Sequence, residues 1–104
     1  MDGFVKIARK DQLKISSGIS IRVDGEEIAL FQRGTEVYAV RNECPHQHFQ
    51  LLHQGEIDGS AITCPMHGWK FDFTTGNGIL GGGNLKPYTV KLVGDDVWLK
   101  RPQE

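Results

Sequence analysis

The chain has 104 residues, enough for one compact domain with a modest core and too few for a second catalytic domain. Its 12 basic and 13 acidic residues leave a net charge of -1, which removes the electrostatic basis for a nucleic-acid or anionic-membrane partner. No run approaches the ~18 apolar residues of a membrane span, and Met1 to Lys10 lacks the apolar stretch and cleavage site of a secretory signal, so a soluble, cytoplasmic protein is expected, whose two cysteines serve as ligands or thiols rather than a disulfide.

Ile19, Ile21 and Val23 alternate with Ser20, Arg22 and Asp24, the period of a strand with one buried face, and Asp24-Gly25 closes it with a hairpin-turn dipeptide. Two apolar-rich runs follow, Glu27 to Gln32 and Glu36 to Val40, separated by Arg33-Gly34-Thr35. Further on, Leu51 to Ile57 and Ser60 to Thr63 flank the turn dipeptide Asp58-Gly59. Trp69, Phe71 and Phe73 alternate as a strand with one buried face would, and read as a core wall. Gly76 to Gly83, with five glycines in eight residues, is expected to be a loop of unusual backbone freedom. Tyr88 to Val93 and Val97 to Lys100 then pair around Gly94-Asp95-Asp96. No segment holds a 3.6-residue apolar period over three turns, so the expected fold is all-β, of short antiparallel strands closed as a small barrel or sandwich.

Both cysteines and all four histidines fall between residues 44 and 69. Cys44-Pro45-His46 and, after seventeen intervening residues, Cys64-Pro65-Met66-His67 each offer one thiolate and one imidazole, a Cys2His2 set able to hold iron or zinc. The proline after each cysteine fixes φ and stiffens the loop that aims the sulfur. A structural zinc site suits the Cys64 to His67 spacing, but the single residue between Cys44 and His46 falls short of the usual zinc-ligand spacing. His48 and His53 lie outside the four-ligand set and read as loop or surface histidines, neither needed to complete it.

Residues 44 to 71 resemble the signature of Rieske-type ferredoxins: C-x-H, a spacer of this length, then C-P-x-H-G and an aromatic shortly after. The resemblance implies one Rieske [2Fe-2S] centre, with Cys44 and Cys64 on the inner iron and His46 and His67 on the outer one. It also implies one domain over 1–104, with a cluster-binding subdomain at about 41–87 and a basal β part built from the two ends. Gly68 would let the backbone of the second loop approach the centre, and Leu80 to Pro87 would form a third, covering loop. Two departures stand out: His48 where family members often have glycine, and Gly81-Gly82-Gly83 where the covering loop often has proline. High-potential members carry an extra cysteine pair, a serine directly after the glycine of the second motif and a tyrosine two residues further. This chain has no further cysteine and places Trp69 and Phe71 there.

Those substitutions imply a low potential, because hydroxyls that hydrogen-bond to sulfur stabilise the reduced, more negative state. By the same resemblance the chain is a one-electron carrier, not itself an enzyme, between an NAD(P)H-dependent flavoprotein reductase and a terminal oxygenase. A chain this short has no room for the oxygenase's mononuclear iron domain with its two histidines and a carboxylate. The alternatives are a small subunit of an assimilatory nitrite reductase, in which the four ligands are often incomplete, and a zinc-stabilised interaction domain.

Overall fold

The computed structural model describes residues 3–13, 18–33, 36–43, 52–65, 68–81 and 83–100. Eleven strands run through them: β1 (Phe4–Arg9), β2 (Ile19–Val23), β3 (Glu26–Arg33), β4 (Glu36–Arg41), β5 (Glu56–Asp58), β6 (Ala61–Thr63), β7 (Lys70–Asp72), β8 (Gly78–Leu80), β9 (Pro87–Tyr88), β10 (Val90–Val93) and β11 (Asp96–Lys100), with single 3-10 turns at Lys10–Gln12 and Leu52–Gln54. All pairings are antiparallel, in three sheets ordered β1-β11-β10, β2-β3-β4-β9 and β5-β6-β7-β8. The all-β, antiparallel architecture expected from the alternation is therefore present.

The middle sheet explains the uninterrupted apolar run of β3. Ile28 and Leu30 point into one core, Ala29 and Phe31 into a second, and all four are inaccessible to solvent. A strand alternates its side chains between faces, so an unbroken apolar run marks a sheet covered on both. β4 repeats the arrangement, with Val37 and Ala39 on the first side and Val40 on the second. The first, basal core is closed by Ala8, Val97 and Leu99 of the β1-β11-β10 sheet. The second lies under the β5-β6-β7-β8 sheet and gathers Leu52, Ile62, Cys64, Phe71, Phe73 and Leu85. Phe73 stacks on Phe31 with ring centroids 5.0 Å apart, tying the outer sheet to the middle one.

The β2-β3 turn is the expected one: Asp24 and Gly25 both have positive φ, 50° and 83°, as a two-residue turn matched to strand twist requires. Elsewhere the chain departs from the sequence reading. Tyr88 to Val93 is not one strand: β9 pairs with β4, whereas β10 pairs with β11, so the chain changes sheet at Thr89. Of Leu51 to Ile57, residues Leu52–Gln54 form a 3-10 turn and only Glu56 onward is strand. The turn sinks Leu52 into the core, and a Cβ at Gly55 would sit 2.2 Å from the Thr63 carbonyl oxygen, so glycine permits the close approach.

The glycine-rich stretch is also more ordered than expected, because Gly78–Leu80 is an edge strand on β7. It is pinned by Gly78 N–H to Asn84 Oδ1 (2.8 Å) and Leu85 N–H to the Gly76 carbonyl (2.7 Å). β1 escaped the period-two reading because a bulge between Lys6 and Ala8 turns the consecutive Ile7 and Ala8 toward the same core. The expected turn at residues 33–35 lies partly outside the described residues.

Candidate metal centre

Of the four expected ligands, Cys64 lies among the described residues; Cys44, His46 and His67, together with His48, lie outside them. Cys64 follows β6 directly, and β7 begins at Lys70, so the second motif occupies the connection of a hairpin whose last pair is Thr63 with Lys70. Two backbone hydrogen bonds tighten that connection: Cys64 N–H donates to the Trp69 carbonyl (2.7 Å) and Gly68 N–H to the Cys64 carbonyl (3.0 Å). Gly68 has φ 70°, a left-handed conformation that most residues adopt only at a cost, and open space where a Cβ would be.

Cys64 is buried within the second core beside Phe71, with Trp69 packed half-buried against the same core. The alternation of Trp69, Phe71 and Phe73 therefore does build an apolar wall, though the strand within it spans only Lys70–Asp72. The wall has a counterpart in the covering stretch: a Cβ at Gly81 would lie 2.3 Å from Trp69 Cδ2, so the backbone of residue 81 rests on the indole face. Leu85 from the same stretch enters the core beneath. At the end of β7, Asp72 accepts hydrogen bonds from the hydroxyl and backbone N–H of Thr74, which hold its carboxyl below its ordinary value.

The first motif leaves β4 through Asn42 and Glu43 and returns at Leu52. Asn42 N–H donates to the Glu27 carbonyl (2.9 Å), and Arg41 N–H to the Lys86 carbonyl (2.8 Å), which places the base of the motif beside the covering stretch. His53 is not a surface histidine: it is half-buried and bound to Asn42 through both its backbone and its ring. Asn42, fully buried, went unnoticed in the sequence because nothing in the local pattern separates it from a loop polar residue.

A buried cysteine in a hydrogen-bonded hairpin connection, in a core with aromatic rings, suits a metal-sulfur centre, because the apolar surroundings exclude water. The donor set expected from the sequence, two cysteines and two histidines, has the composition of the mixed ligation of a Rieske centre. The family model for the Rieske [2Fe-2S] domain matches residues 3–88.

The chain belongs to the Rieske [2Fe-2S] domain family. That domain holds one Rieske-type [2Fe-2S] cluster, and the residues described here fit it. The ferredoxin component of a naphthalene 1,2-dioxygenase system from Pseudomonas aeruginosa is 34% identical over 83 residues, covering 78% of this chain and 79% of that protein. The solved ferredoxin of carbazole 1,9a-dioxygenase from Nocardioides aromaticivorans IC177 superposes with a TM-score of 0.89 at 30% identity, over 97% of this chain and 100% of the other. A solved structure named as a putative NADPH nitrite reductase small subunit reaches a TM-score of 0.83 at 24% identity, over 92% of this chain and 96% of the other, a likeness of fold alone. Among the described residues no helix is long and apolar enough to cross a membrane.

Proposed function

We propose that this Rieske chain is a low-potential, cytoplasmic one-electron ferredoxin that receives electrons from an NAD(P)H-dependent flavoprotein reductase and delivers them to a terminal oxygenase. Cys44 and Cys64 hold the inner iron of its cluster, and His46 and His67 the outer iron. When bound, the cluster supplies reversible one-electron chemistry. The observation that carries the reading is the burial of Cys64 in the β6-β7 hairpin connection, against the core that also receives Leu52 from the end of the first motif. Cys64 presents sulfur from an apolar interior, Gly68 turns the connection at positive φ, and Trp69 and Phe71 contribute apolar surface to the same core. His46 and His67 provide imidazole edges at which a partner docks briefly, through the small interface suited to a carrier. The same Trp69 and Phe71 offer no hydroxyl to sulfur, which sets the potential low. Naming of the relatives as ferredoxin components of dioxygenase systems favours an oxygenase as acceptor over a nitrite-reductase assembly.

The test is a ligand scan read by visible absorption and by iron and sulfide content. Cys44→Ala, His46→Ala, Cys64→Ala and His67→Ala each lose the cluster, whereas His48→Ala keeps it. A His48→Ala chain without the spectrum beside a His46→Ala chain that retains it would overturn the assignment, and a colourless, zinc-loaded wild type would favour the zinc domain instead. Electron delivery is then checked by reducing the holo-chain with a flavoprotein reductase and following its reoxidation by an oxygenase.

A further inference from the structure

Asn42 is the buried polar side chain that the apolar cores leave to be explained: it is fully inaccessible and sits two residues before Cys44. Its amide oxygen accepts the backbone N–H of His53 (2.9 Å). A backbone N–H is an obligate donor, so this contact fixes which end of the amide is oxygen. The amide nitrogen then faces His53 Nδ1 at 2.9 Å and Ser20 Oγ at 3.2 Å. An amide nitrogen carries two hydrogens and no acceptor, so Nδ1 must accept one of them and the ring proton rests on Nε2. Ser20 accepts the other and passes its own hydrogen to Glu27 Oε2 (2.7 Å), while Arg22 holds the second Glu27 oxygen at 3.0 Å. Donor and acceptor directions are therefore set along the whole chain from His53 to Arg22.

The network joins two places in the sequence for which fold stability alone gives no reason to choose such costly groups. Buried amides demand full satisfaction, and an apolar side chain at position 42 would fill the same volume without that demand. What an apolar side chain cannot do is fix the register of two backbone segments. Asn42 is held to β3 through its N–H on the Glu27 carbonyl, and the His53 carbonyl accepts Gly18 N–H at 3.2 Å, just before β2. Between Asn42 and His53 runs the segment that carries Cys44 and His46.

We propose that Asn42 and His53 are positioning residues for the cluster: their paired hydrogen bonds fix the two ends of the sequence segment that carries Cys44 and His46. This rests on the ligand reading proposed above. Because the pairing closes the segment beforehand, metal bonds need not bear the whole entropy of closing it. With the pairing removed, the two ends are no longer tied to each other, so the cluster is released faster and its outer-iron ligand geometry broadens.

The experiment uses the purified holo-chain with His53→Leu, which keeps bulk and removes the acceptor, His53→Gln, whose side-chain oxygen restores one, and His46→Ala as ligand control. Three readings are taken: bleaching of the visible spectrum by excess ferrous chelator, the EPR line shape of the dithionite-reduced cluster, and the thermal midpoint. The Leu chain is expected to assemble a cluster but release iron about three- to tenfold faster, as loss of one hydrogen bond predicts, with a broadened EPR signal. The Gln chain stays within about twofold of wild type. Wild-type release and line shape in the Leu chain, even with a lowered thermal midpoint, would reduce the network to fold stability and overturn the proposal, as would a Gln chain as leaky as the Leu chain. Should the Leu chain fail to accumulate, His53→Ala gives the same comparison. Retention of the Rieske spectrum by His46→Ala would instead sink the ligand reading, independently of the His53 results.

Discussion

Replacing Trp69 by Ser and Phe71 by Tyr together is expected to raise the midpoint potential of the cluster. Residue 69 lies next to Gly68, and its carbonyl accepts the Cys64 N–H at 2.7 Å; Phe71 is buried in the core that contains Cys64. Residue 69 is thus tied to Cys64 through the backbone and Phe71 shares its core, and neither side chain carries a hydroxyl. A hydrogen bond with one charged partner is worth about 1.5 to 3 kcal/mol. If half of that distinguishes the reduced from the oxidised state, two such bonds stabilise reduction by about 1.5 to 3 kcal/mol. At about 23 kcal/mol per volt for one electron, the shift is about 65 to 130 mV upward. The wild-type midpoint should lie near the bottom of the family's range of about -150 to +300 mV. The cost is structural: removing the indole takes a half-buried ring off the core and off Gly81, so cluster content must be confirmed before potentials are compared. Protein-film voltammetry at neutral pH, with each single variant alongside, measures the effect. A fully loaded double variant whose midpoint is unchanged or lower would refute the argument, and so would a wild-type midpoint above about +100 mV.

Gly81→Ala should destabilise the chain by about 2 to 4 kcal/mol in urea denaturation, because φ 101° strains alanine and its Cβ meets the Trp69 indole at 2.3 Å. In a Trp69→Ser background the steric part disappears and the cost should fall to about 1 to 2 kcal/mol. Asp72→Asn tests the depressed carboxyl: because the folded value lies below the unfolded 3.8, the stabilisation is fully present above that pH and is lost as pH falls through the lower, folded value. The stability gap between wild type and variant should therefore be constant from neutral pH down to about pH 5 and close in more acidic solution; a gap that widens with acid would contradict the assigned cause. Leu85→Ala and Leu99→Ala, both buried but in different cores, should each cost about 2 to 5 kcal/mol, yet only Leu85→Ala should speed chelator-driven cluster loss, since Leu99 belongs to the basal core.

What the sequence disclosed followed from interactions that are local. Asp24-Gly25 marks its turn because aspartate and glycine are among the residues that accept positive φ, whereas the turn expected at Asp58-Gly59 falls one residue later, at Gly59-Ser60, with Asp58 still paired to Ala61; β2 shows its alternation because a single face is buried. The four expected ligands stand out because two cysteines and two histidines at such spacing are rare by chance. Features set by distant contacts stayed hidden. Nothing near Thr89 signals a change of sheet, since the change depends on β4 and β11 being offered as edges on either side. The strand in the glycine-rich stretch depends on β7 as a template, against the propensity of its own residues. His53 looked like a loop histidine because its partner lies eleven residues away, on the far side of the ligand segment.

The short strands around the candidate centre raise a physical question, since β5 to β8 have three residues each and sheets of that size are marginal alone. Their position is instead imposed from below. Leu52 at the return of the first motif, Ile62 and Phe71 beside the second, and Leu85 from the covering stretch all enter one core, and that core rests on Ala29, Phe31 and Val40 of the middle sheet. Each of the three segments around the centre therefore has its own apolar anchor on a common, longer-stranded platform. Packed interiors deform little, so anchors sharing a core hold the segments at fixed separation without bonds between the segments themselves. Asn42 adds the one constraint that apolar packing cannot, a fixed backbone register where the first ligand segment begins and ends. The apolar platform thereby limits how far Cys64, and the return of the first motif at Leu52, can shift.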